Sequence, residues 1–148
     1  MLRRLAYIVS VAAALVVVSC QEANRTVEMH DMETSAWESA EEFVYDNCDS
    51  LTERDISIVV RYDNGYVADS VSLSVLTISP DSMVVEEPFT LHIPRIRAVR
   101  PEEQTFLYRS RVVLSRKGEY RFRLTPDTLV EGIASVGIIV EEQAKEQE

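Results

Sequence analysis

Cys20 is the side chain whose neighbours say most about its chemistry. It follows Val17-Val18-Ser19, a small residue directly before it, at the end of the apolar run Leu5 to Val18, which itself follows Arg3 and Arg4. A short positive region, an apolar stretch and a small residue before cysteine form a bacterial lipoprotein signal peptide. The pattern predicts that the thiol of Cys20 is acylated and that cleavage before it makes Cys20 the first residue of the mature chain. The apolar run is too short for a permanent membrane span. A transmembrane anchor would fit the same hydropathy but needs no cysteine at this point. Fatty chains of the palmitate kind on Cys20 then hold the chain at a membrane, and two or more hold far better than one.

A second group of residues could bind anions. Arg109, Arg111, Arg121 and Arg123 flank the turn signal Arg116-Lys117-Gly118. If the flanking segments form a hairpin, alternation turns Val112, Leu114, Tyr120 and Phe122 inward and gathers the four arginines on its outer face. Like charges directly opposite one another are destabilising. Such a strip is expected either to pair with carboxylates of this chain or to contact an acidic partner or a sugar phosphate. The planar guanidinium fork suits both.

Little else points to chemistry. There are two histidines. His92 alternates with Phe89, Leu91 and Ile93 and is expected to face solvent. His30 could bind a metal with Glu28 or Asp31, but two such residues with no second histidine nearby fall short of the three protein ligands a zinc site requires. No Gly-x-Ser-x-Gly turn occurs, and no glycine-rich loop could cradle phosphate. Glu41-Glu42, Glu86-Glu87 and Glu102-Glu103 are adjacent pairs, whose side chains would face opposite ways in a strand. No catalytic residue, metal site or cofactor is predicted. With Cys20 lipidated, no disulfide framework is expected, and Cys48 reads as a small buried hydrophobe at a strand end. Trp37 is expected to anchor the start of the domain, its indole N–H finding an acceptor.

The elements that hold these residues must be strands. Removing residues 1–19 from 148 leaves 129, enough for one domain with one core. Losing Arg3 and Arg4 from 15 basic residues, against 25 acidic ones, takes the net charge from −10 down to −12. Nucleic acid and anionic membranes would repel such a chain. Residues 20–36 are expected to form the lipidated N-terminus and tether, with Val27 to Trp37 lying against the domain edge. Residues 37–142 form the domain, and 143–148 a charged tail. Period-two alternation runs through Ile56, Ile58, Val60 and Tyr62; Val71, Leu73 and Val75; Phe89, Leu91 and Ile93; Phe106 and Tyr108; Tyr120, Phe122 and Leu124; and Val136, Ile138 and Val140. Asp63-Asn64-Gly65, Pro80-Asp81, Arg116-Lys117-Gly118 and Pro126-Asp127 are turn signals, and Pro94 to Glu103 a long loop. This predicts an all-β fold, an antiparallel two-sheet β-sandwich of jelly-roll or immunoglobulin-like topology.

The order of landmarks resembles the GldH family, lipoproteins associated with gliding motility in Bacteroidota. The resemblance runs from His30-Asp31 and Trp37 through Ile56 to Tyr62. It continues in Lys117-Gly118-Glu119-Tyr120-Arg121-Phe122, in Leu129-Val130-Glu131-Gly132-Ile133, and in Val136-Gly137-Ile138. Ile93 to Glu103 and Leu124-Thr125-Pro126-Asp127 depart from the family pattern. The resemblance implies a non-enzymatic cell-envelope lipoprotein working with proteins of a gliding or secretion machinery, on the periplasmic face of the outer or the cytoplasmic membrane. A different expectation is a glycan- or ligand-binding envelope lipoprotein, with Trp37, Tyr62 or Tyr66 as stacking platforms.

Overall fold

The computed structural model describes residues 24–143. The signal segment and the lipidation expected at Cys20 lie outside the described residues. Ten strands follow in order: β1 (Arg25–Asp31), β2 (Ala36–Trp37), β3 (Glu41–Asn47), β4 (Glu53–Tyr62), β5 (Val71–Ile78), β6 (Val84–Leu91), β7 (Glu102–Val113), β8 (Gly118–Pro126), β9 (Val130–Glu131) and β10 (Ile133–Glu142). One sheet has the order β1-β10-β4-β7, the other β3-β8-β5-β6, and β2 pairs with β9 as a short ribbon. All pairings are antiparallel.

The chain is a long hairpin rolled up on itself. First pairs with last, β1 with β10, then β3 with β8, β4 with β7 and β5 with β6. Eight strands in this order are a jelly roll, which decides between the two topologies that alternation left open. The core is the set the alternation marks. Ile56, Ile58, Val60 and Tyr62 from one sheet meet Val71, Leu73, Val75, Phe122 and Leu124 from the other, each 2 % exposed or less. Burying one such side chain is worth roughly 1.5–3 kcal/mol. Val59, which breaks the alternation, is also fully buried, but on the outer face of its sheet. There Gly137 leaves room: a Cβ at Gly137 would lie 2.6 Å from Met29 Cγ and 2.9 Å from Val59 Cγ1.

Two expectations are corrected. The tether does not extend to residue 36, because Arg25–Asp31 is a full strand paired with β10 from Arg25↔Glu141 to Asp31↔Ser135. Its alternation is hidden because Glu28 and His30 hold the positions directed toward β3. Glu28 accepts the Val44 N–H at 3.2 Å, and the His30 ring stacks on Phe43 with centroids 4.3 Å apart. The domain therefore begins at β1. Nor do β7 and β8 form a hairpin: Arg116-Lys117-Gly118 carries the chain from one sheet to the other.

The roll has two unlike ends. One gathers the β3–β4, β5–β6 and β7–β8 loops. Asn47 Nδ2 donates to the carbonyls of Leu114 and Arg116, and Arg116 pairs with Asp81 at 3.5 Å. The first described residue lies here too, since the Asn24 carbonyl accepts the Glu142 N–H and Gln143 N–H reaches Glu53. The opposite end gathers the other four connections.

Candidate functional site

At that far end the connections 32–40, 63–70, 92–101 and 127–132 meet. A chain of backbone hydrogen bonds joins them: Gly132 N–H to Ser35 O, Asp63 N–H to Gly132 O, and Asn64 N–H to Ala98 O. Gly132 is the hub. It has φ of +82°, and a Cβ there would lie 2.0 Å from Tyr66 N. Glycine alone fits this approach. The β2–β9 ribbon closes the end over Trp37, which is fully buried and donates its indole N–H to Ser39 O at 3.0 Å. Asp63 Oδ1 accepts the Gly65 N–H, so that turn is held by a side chain and not by positive φ.

These loops carry the surface features of the end. Val67, Val99 and Leu129 are exposed. A cleft of about 520 Å³ is lined by Val67, Ser70, Ser72, Asp127, Thr128 and Leu129, among others. The 92–101 connection is basic. Arg95 pairs with Asp69 at 2.7 Å, whereas Arg97 and Arg100, both exposed, make no ion pair with a described residue. The 32–40 connection on the other flank carries Glu33 and Glu38. Hydrogen-bond order thus sets an acidic flank and a basic flank on one end whose loops are tied together.

The four arginines expected to form one strip are divided between two sheets, and each has an internal partner. On β7, Arg109 pairs with Glu87, and Arg111 with Glu53 at 2.9 Å. On β8, Arg123 pairs with Glu42 at 2.8 Å, and Arg121 with both Glu42 and Glu119. Arg123 and Arg121 hold the Glu42 carboxyl below its usual range. Arg111 adopts φ of +54° at the β7 irregularity, where its N–H reaches Asp55. The adjacent acids do split as alternation requires: Glu41 binds His30 at 2.7 Å while Glu42 turns to the arginines.

His30 sits between two carboxylates. Burial pulls its pKa down, but hydrogen bonds to Glu41 and Glu28 outweigh this and leave it raised. Among the described residues no group of three or more His, Cys, Asp or Glu side chains could hold a metal ion. His92 is exposed. Tyr62 and Tyr66 are buried and packed edge to face at 5.6 Å, and Tyr62 donates to Pro94 O, so neither they nor Trp37 offers a stacking platform. Burial pushes the Tyr66 hydroxyl's pKa up, and that oxygen has no hydrogen-bond partner among the described residues.

One feature escaped the sequence. Arg54 is fully buried, donating to Asp49 O and Thr52 O, with its guanidinium 5.9 Å from the centre of the Tyr45 ring. Its phase with Ile56, Ile58 and Val60 was the available signal. Cys48, expected as a small buried hydrophobe, is half-buried just past the end of β3.

No family model matches the chain, and no curated protein matches it. Among solved structures it is similar to a chain of the T13 IBDV viral particle, at 8 % identity and a TM-score of 0.42, covering 82 % of this chain and 32 % of that one. It is also similar to dimeric latent PorU from Porphyromonas gingivalis, at 7 % identity and 0.37, over 81 % of this chain and 13 % of that one. A third similar structure belongs to carbohydrate-binding modules of the β-sandwich superfamily, at 10 % identity and 0.37, over 82 % and 55 %. The chain spans about a third of the first of these and a smaller share of the second.

Proposed function

We propose that this protein is a non-enzymatic, lipid-anchored interaction component of the bacterial cell envelope, belonging to a gliding-motility or associated protein-secretion machinery. In this reading Cys20 carries the lipid. The domain stands on the periplasmic face of the outer or the cytoplasmic membrane, and envelope proteins are its partners. The observation that carries the reading is the separation of the two ends. The described chain starts beside the β3–β4 loop, while the hydrogen-bonded four-connection end, with Arg97, Arg100 and the cleft, lies at the far end of the roll. A short tether at one end presents the other to proteins that approach from the periplasm. The internal pairing of Arg109, Arg111, Arg121 and Arg123 moves the proposed contact from that strip to the far end.

Photo-crosslinkers at Val67, Val99 and Leu129 test this in intact envelopes. The expected result is one defined envelope partner from all three positions, lost when Arg97 and Arg100 are changed to Ser in a folded protein. No partner from any of them would overturn the reading. A second reading, a saccharide ligand, is favoured by the hydroxyl and carboxylate lining of the cleft (Ser70, Ser72, Thr128, Asp127). Binding to a polysaccharide array, abolished by Asp127→Ala, would select it.

A further inference from the structure

We propose that the end of the roll nearest the tether is itself a membrane-contacting surface, which seats Leu51 and Met83 in the interfacial layer of the bilayer. This rests on the lipid anchor at Cys20.

Leu51, at the tip of the β3–β4 loop, is 85 % exposed, and Met83, at the β5–β6 turn, is 63 % exposed. Neither is a loose apolar side chain on a mobile loop. The Asp49 carboxylate accepts both the Leu51 N–H and the Thr52 hydroxyl, which fixes the tip around Leu51. Ser79 N–H binds Met83 O, Ser82 N–H binds Ser79 O, and the Ser79 hydroxyl engages Asp81, so the turn holding Met83 is equally tied. Val84 continues this exposed apolar edge. Two tied loops therefore display large apolar groups at one end, where little ordering entropy remains to be lost on insertion.

The tether selects the occupant. Asn24 lies at this end and is the fourth residue after Cys20. Four extended residues reach about 14 Å, so an acylated Cys20 keeps these loops within reach of the headgroups. A short tether raises the effective concentration to roughly millimolar, and weak interfacial affinity then suffices. Lys117, exposed on the β7–β8 loop, makes no ion pair with a described residue. Asp81 is paired with Arg116, and hydrogen bonds within their loops hold the carboxyls of Asp49 and Asp81 below their usual range, so both stay ionised. An end carrying both signs suits zwitterionic headgroups, and added anionic lipid should not strengthen the contact.

The test uses the full lipidated protein in phosphatidylethanolamine–phosphatidylcholine vesicles doped with a lipid bearing a diazirine in its acyl chain. Crosslinks should map to residues 50–52 and 82–84, and not to 63–70 or 92–101. Leu51→Ser with Met83→Ser should lower the yield about tenfold while flotation with vesicles stays complete. A protein that floats but crosslinks evenly, or only at Cys20, overturns the proposal and leaves the anchor standing. A protein that does not float overturns the anchor and the proposal together. A yield that falls as the protein-to-lipid ratio rises assigns this end to a second copy of the chain and overturns the proposal.

Discussion

Gly132→Ala should loosen the whole far end of the molecule. The added Cβ meets Tyr66 N at 2.0 Å and Gly65 C at 2.4 Å, both backbone atoms that no rotamer change can move. Alanine at φ of +82° adds roughly 1–2 kcal/mol of strain. Relieving the overlap separates the 63–66 turn from Gly132 and endangers the hydrogen bonds from Asp63 N–H and to Ser35 O, each worth about 1 kcal/mol. The sum is about 3–4 kcal/mol, which for a domain of this size lowers Tm by roughly 10–15 °C. Thermal unfolding followed by circular dichroism measures this, and hydrogen exchange locates it, with faster exchange at 63–66 and little change at β3 and β8. Gly118→Ala is the control. Its φ of +120° is also strained, but its Cβ meets only the Pro80 ring, at 3.1 and 3.3 Å, so the loss should be smaller and confined to the other end. If Gly132→Ala melts within about 2 °C of the parent with unchanged exchange, the far end is not built around this residue.

Three further outcomes follow from the charged groups. Arg111→Ser with Arg123→Ser removes two exposed ion pairs on different sheets, so the losses should add to about 1 kcal/mol in urea unfolding and leave partner crosslinking at Val67 intact. A loss of crosslinking with stability unchanged would restore the strip as a contact surface. The raised pKa of His30 means its charged form contributes stability that is fully present below the ordinary value near 6.5 and disappears as pH rises through the folded value. His30→Gln should therefore lower stability by about 0.5 kcal/mol at pH 5.5, discounted for partial exposure, and by little at pH 9. A loss that is larger at pH 9 would reverse the assignment. Burial and the hydrogen bond to Glu87 push Tyr108 up to about 12. Burial also raises Tyr62 and Tyr66, so ultraviolet titration should show several late-ionising tyrosines and one fewer in Tyr108→Phe; an unchanged number in that variant would refute the assignment.

Which parts of this architecture could be read in advance follows from where the specifying forces lie. Alternation is local, so the inward residues of β4, β5, β8 and β10 were plain from their spacing. Strand β1 was not, because its inward positions are Glu28 and His30, polar groups whose partners Val44, Glu41 and Phe43 lie 11 to 16 residues away. Pairing is less local still. A glycine-bearing turn such as Arg116-Lys117-Gly118 serves a hairpin or a crossover between sheets equally well, and the choice is made by β3 and β4, the strands that β8 and β7 meet. Once the two segments separate, so do Arg109 and Arg111 from Arg121 and Arg123. The role of Gly132 was hidden for a similar reason, since the Tyr66 backbone that crowds it is 66 residues away.

The anchor on Cys20 is the claim from which the orientation of both ends follows, and mass spectrometry of protein taken from native envelopes tests it most directly. The account predicts a mature chain beginning at Cys20, its N-terminal peptide carrying a thioether-linked diacylglyceryl group, with no peptide joining Cys20 to Cys48. An unprocessed N-terminus, or a Cys20–Cys48 disulfide peptide without lipid, would contradict it.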